Sequence, residues 1–90
     1  LYVCGSSEIS KRAIRNANAL LSSYAQSEYR FEIVDVLQDP QIAELNRILA
    51  TPALVKEDPL PLRILVGDLS DAEIVRSTLN LYESSGVKDD

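Results

Sequence analysis

The one thiol in the chain is Cys4, in the run Val3-Cys4-Gly5-Ser6-Ser7, where a short apolar strand meets a serine able to start a helix. A helix N-terminus stabilises a thiolate, so this is a place from which a thiol oxidoreductase attacks a disulfide. A Cys-x-x-Cys pair needs a second thiol three residues on, and Ser7 stands there, followed by the negative charge of Glu8. The sequence contains no histidine, which removes the usual general base and the commonest transition-metal ligand. The competing reading is packing. Free cysteine is among the most buried residue types, so Cys4 is expected to close an inner strand as a small apolar side chain.

Other reactive constellations have similarly plain accounts. Asp68, Asp71 and Glu73 cluster, but an oxygen-only cation site takes six or more ligands, and Ser70-Asp71-Ala72-Glu73 reads as a capping box. Lys11, Arg12 and Arg15 crowd the start of a helix, the end its dipole makes unfavourable for cations. They read as a solvated face, or as a docking surface for an acidic partner. Gly5 and Gly67 are turn glycines, and neither sits in a phosphate-cradling loop ending in Lys-Ser/Thr.

The elements that must position these residues are legible from periodicity. Leu1 to Cys4 reads as a short buried strand. Ser6 or Ser7 caps a helix over Ile9 to Tyr24, with Ala13, Ala17, Leu20, Leu21 and Tyr24 on one stripe and Lys11, Arg15, Asn18 and Ser22 opposite. Tyr29 to Leu37, rich in β-branched and aromatic residues, reads as an interior strand. Asp39 caps a second helix with Pro40 at its first position, and Ile42, Leu45 and Leu49 form its expected buried stripe. Ala53 to Lys56 and Arg63 to Asp68 read as two further strands, and a last helix runs to about Tyr82.

The order is therefore β-α-β-α-β-β-α, a single α/β domain of thioredoxin-like arrangement over residues 1–83, with a polar tail, 84–90, expected to be disordered. Thioredoxin-like folds carry a cis-proline before the third strand, which makes Pro52 the candidate; the sequence leaves the isomer open. Ninety residues hold one core. The net charge of −5 gives no bulk attraction to nucleic acid or anionic lipid, and no apolar run approaches the about 20 residues of a membrane helix. A single cysteine fits a reducing compartment, so a cytoplasmic location is expected.

Four stretches, LYVCGSS, VDVLQDPQIAE, ILATPALVK and VGDLSDAE, closely resemble the KaiB proteins, small clock adaptors, and the resemblance extends without a gap from Leu1 to about Tyr82. It implies a non-enzymatic adaptor, without cofactor or metal, that binds a KaiC-type ring ATPase, and in clock systems a KaiA-like protein, and displaces a sensor histidine kinase. It also implies two folds: a tetrameric resting state whose C-terminal half is folded differently, and a thioredoxin-like monomer that binds partners. Basic positions matching the family are Arg12, Arg47, Lys56 and Arg63, the implied partner contacts, with Asp35 and Asp68 structural.

Three departures stand out. Cys4 occupies a position where the family usually has Ala. Glu32 replaces a Lys of clock members. Thr78-Leu79-Asn80 replaces a Gly-x-Asp in the segment implied to switch folds, where Ser77, Thr78 and Asn80 are poor helix formers. Two rival readings remain beside the adaptor: a monothiol oxidoreductase acting through Cys4, and a KaiB-like sensor domain of a histidine kinase.

Overall fold

Ser7 decides where the first helix begins. In the computed structural model, which describes residues 1–25, 29–58 and 60–79, the Ser7 backbone is extended and its Oγ accepts the Ser10 N–H, so α1 spans Glu8–Leu21. Ala13, Ala17, Leu20, Leu21 and Tyr24 are all buried, as their spacing predicts. The helix nevertheless stops three residues before Tyr24. Ser22 donates its hydroxyl to Ala19 O, and the N–H groups of Ser23 and Tyr24 reach back only three residues, to Leu20 O and Leu21 O. The last turn thus tightens and ends.

β1 (Tyr2–Val3) lies inside a four-stranded sheet of order β2-β1-β3-β4. It runs parallel to β2 (Val34–Asp35) and antiparallel to β3 (Ala53–Lys56), which pairs antiparallel with β4 (Arg63–Val66). With α2 (Pro40–Leu45) and α3 (Ala72–Leu79), the order is the expected β-α-β-α-β-β-α. One face of the sheet carries the core: Leu1, Val3 and Leu54 meet Ala13, Ala17 and Leu20 of α1 and Val75 of α3, with Leu65 and Leu79 packed alongside.

Four expectations are corrected. Tyr29–Leu37 is not an interior strand: only Val34–Asp35 are in the ladder, at a sheet edge, and Ile33 and Leu37 are exposed. The reason is the partner. Among the described residues only β1 flanks this segment, and β1 offers two residues to the ladder, through Val34 N–H to Leu1 O and Val36 N–H to Val3 O, both 2.8 Å. The fourth strand stops at Val66 rather than Asp68, where Gly67 adopts φ +130°.

The buried stripe on the second helix is the third correction. α2 has six residues, its buried residue is Ala43, and Leu45 and Leu49 are 81% and 96% exposed. Asp39 precedes α2 without a side-chain capping bond. The chain leaves the helix early through a Schellman turn, Ile48 N–H to Ala43 O (2.9 Å) and Arg47 N–H to Glu44 O (3.1 Å). Leu49 is consequently not helical at all. The fourth correction concerns α3, which is capped by Asp71 rather than Ser70: Asp71 Oδ1 accepts the N–H groups of Glu73 (3.1 Å) and Ile74 (3.2 Å). A carboxylate there meets the positive end of the dipole as well as the free donors. The expected extension to Tyr82, Asn80 and the tail 84–90 lie outside the described residues.

Candidate functional site

The loop from Cys4 to Ser10 is held by a small network of hydroxyls. Ser10 is buried, and its Oγ accepts the Cys4 N–H (3.2 Å) and the Ser7 hydroxyl (2.9 Å) while donating to Cys4 O (3.3 Å). Ser7 Oγ closes the circuit by accepting Ser10 N–H at 3.3 Å. On the other side, Asp35 Oδ1 accepts the Gly5 N–H (3.0 Å) and the Leu37 N–H (2.9 Å), tying the loop to the end of β2. Gly5 has φ +60°, and a Cβ there would stand 3.0 Å from Leu37 Cδ1, so both backbone and space ask for glycine.

Within this frame Cys4 is exposed, which overturns the expectation of a packed thiol. The physical reason is that β1 ends at Val3. Cys4 belongs to the turn, where Ser10 satisfies its backbone and nothing covers its side chain. The Thr51–Pro52 bond is cis, Pro52 is fully buried, and the pairing of Tyr2 with Ala53 sets Pro52 opposite Val3, one residue from the thiol. The single thiol of the sequence is thus exposed just past the end of β1.

A second arrangement was invisible in the spacing. Arg12 Nε lies 3.3 Å from Asp68 Oδ2, joining α1 to the loop between β4 and α3. Asn16 Nδ2 donates to Asp68 O at 2.7 Å, and Asp68 Oδ1 accepts Ser70 N–H at 3.0 Å. Hydrogen bonds from Ser70, and then the Arg12 guanidinium, hold the Asp68 carboxyl below the usual carboxylate range. Next to it, Leu69 is buried with φ +63°. The local signal available beforehand was Asp-x-Ser, an Asx turn; the pairing across 56 positions has no signature in one sequence.

The four basic positions stand on different parts of the fold, Arg12 on α1, Arg47 after α2, Lys56 on β3 and Arg63 on β4. Arg12 is engaged with Asp68. Arg47 is exposed at the end of α2 with φ +57°, the left-handed position of the Schellman turn, where glycine is the usual occupant. Lys56 and Arg63 are brought together as direct cross-strand partners on β3 and β4. Among the described residues no acidic group lies within 4.0 Å of either. Thr78 is half-buried near the end of α3. No group of three metal-ligating side chains, and no helix long and apolar enough to cross a membrane, occurs among the described residues.

Comparison with known proteins places this geometry in context. The KaiB domain family model matches residues 1–81. A circadian clock oscillator protein KaiB of Acaryochloris marina is 47% identical over 90 residues, covering 97% of this chain and 86% of its own length. Its namesake in Synechococcus elongatus is 46% identical over 81 residues (90% of this chain, 79% of its own length). That of Thermosynechococcus vestitus is 44% identical over 87 residues (96% and 81%).

Proposed function

The chain belongs to the KaiB family, and on that premise we propose that it is a non-catalytic clock adaptor. It docks on a KaiC-type ring ATPase in the cytoplasm and regulates that enzyme's phosphorylation and signalling cycle, with a KaiA-like protein and a sensor histidine kinase as further partners. The observation that carries the reading is the family match over residues 1–81, laid over a site whose single thiol has no second cysteine or histidine to work with.

Arg47 supports the same reading. A left-handed backbone costs a non-glycine residue about 1–2 kcal/mol, and such strain persists where a side chain is wanted for function. Arg47, Lys56 and Arg63 are the contacts this reading assigns to the ATPase, and Arg12 acts through its pair with Asp68. The thioredoxin-like form is the docking form, and the C-terminal half, with Thr78 and Asn80, refolds in a tetrameric resting state. The test is to mix the protein with a KaiC-type ATPase from the same genome under ATP and follow size exclusion for a day. A co-eluting complex is expected. Its absence at every phosphorylation state of the ATPase contradicts the reading.

One observation favours a second reading. The exposure of Cys4 gives a monothiol oxidoreductase the access it needs, its thiolate attacking a disulfide to form a mixed disulfide and release the other thiolate. Disulfide exchange that is catalysed by the wild type and abolished in Cys4→Ser supports it; equal background rates in both remove it.

A further inference from the structure

Among the described residues β4 is an edge strand of the sheet, four residues long with Arg63 as its one charge, and an unpaired edge is a template for pairing with another chain. Its register fixes which backbone groups are free. Gly67 N–H bonds Pro52 O at 2.9 Å, so the pairs two and four residues on, Leu65 with Leu54 and Arg63 with Lys56, are the hydrogen-bonded ones. The N–H and C=O groups of Ile64 and Val66 therefore point away from the sheet. The side chains of the same two residues share one face and are 47% and 57% exposed, and Leu62 before them is exposed as well.

The opposite face of the edge carries the other half of the chemistry. Arg63 stands directly across from Lys56. Like charges opposed on adjacent strands repel, and among the described residues neither has an acidic partner within 4.0 Å. The edge thus offers apolar contact at every second position and two cations at the position between.

We propose that β4 accepts an extended segment of a partner protein as an antiparallel fifth strand, the segment presenting apolar side chains opposite Leu62, Ile64 and Val66 and a carboxylate opposite Arg63. Main-chain hydrogen bonds to Ile64 and Val66 supply the pairing, the alternation supplies the register, and the carboxylate relieves the Lys56–Arg63 repulsion. The proposal rests on the adaptor reading for the existence of a partner protein, while the chemistry of the edge is a property of this chain alone.

The probe is the acetylated, amidated peptide Ser-Val-Thr-Val-Glu-Val-Ser, titrated into the full chain and followed by amide NMR and hydrogen exchange. Binding should shift the amides of Ile64 and Val66 and slow their exchange. Arg63→Glu should weaken it about tenfold or more, and changing the peptide's Glu to Lys should restore binding to that variant. Ile64→Pro removes an outward N–H without touching the ladder to β3; should it misfold, Val66→Lys tests the same edge through its side chain. No protection at Ile64 and Val66, equal binding by Arg63→Glu, or occupation of the edge by a second copy of the chain overturns the proposal. A KaiC-type ATPase complex unaffected by Val66→Lys, with no peptide binding, sinks the edge and leaves the adaptor standing. Failure of the wild type to form that complex sinks the adaptor while the peptide titration still reads the edge.

Discussion

The inner face of the sheet and its outer margin obey different rules. Between β1, β3, α1 and α3, apolar side chains are covered: Val3, Ala13, Ala17, Leu54 and Val75 sit in one cluster. Around α2 and along β4, residues of the same types are bare: Ile42, Leu45, Leu49, Ile64 and Val66. A soluble monomer scatters single apolar residues on its surface, but a concentration of them is the mark of a surface other molecules cover. The difference separates what holds this fold together from what the fold is available to do.

The sharpest way to break that comparison is to truncate a leucine on each side. Leu54→Ala should cost about 2–5 kcal/mol, whereas Leu49→Ala should change stability by no more than about 0.5 kcal/mol, both read from urea unfolding. Comparable losses would erase the distinction. Ser10→Ala comes next: it removes the part-buried hydrogen bond from the Cys4 N–H and should cost about 0.5–1.5 kcal/mol, with faster exchange of that amide.

The margin makes the opposite prediction. Arg47→Gly relieves a left-handed backbone but adds freedom to the unfolded chain, so it should be neutral or stabilising by under about 1 kcal/mol while weakening the KaiC-type complex. A destabilised Arg47→Gly would place the residue with the core instead. The smallest effect concerns acid. The Asp68 carboxyl lies below its unfolded value, so its contribution is complete above about pH 3.9 and is lost as pH falls through the lower, folded pKa. Urea midpoints measured across that window should fall less steeply for Asp68→Asn than for the wild type.

How far this molecule was legible beforehand follows the same division. The stripe from Ala13 on α1 to Tyr24 just past its end is long enough for periodicity to average over local accidents, and every member is buried. The element order is legible too, because strand and helix signals are separated by turn residues from β1 to α3. α2 has only six residues, and a stripe drawn through Leu49 ran past its end. The segment before Val34 has strand composition, but pairing depends on how much strand lies beside it, and β1 supplies two residues. Cys4 departs from its expected burial for a related reason: one residue past the end of a strand, burial no longer follows from type. The Arg12–Asp68 pair is a product of the tertiary fold, whereas the Lys56–Arg63 juxtaposition follows from the register of two strands that are both legible in the sequence.

The central claim is that the surface does the work and the thiol does not. Affinity of a KaiC-type ATPase under ATP for the wild type, Cys4→Ser and Arg47→Gly tests it most directly. The account predicts equal binding by wild type and Cys4→Ser and weaker binding by Arg47→Gly; loss of binding in Cys4→Ser alone, or none in the wild type, contradicts it.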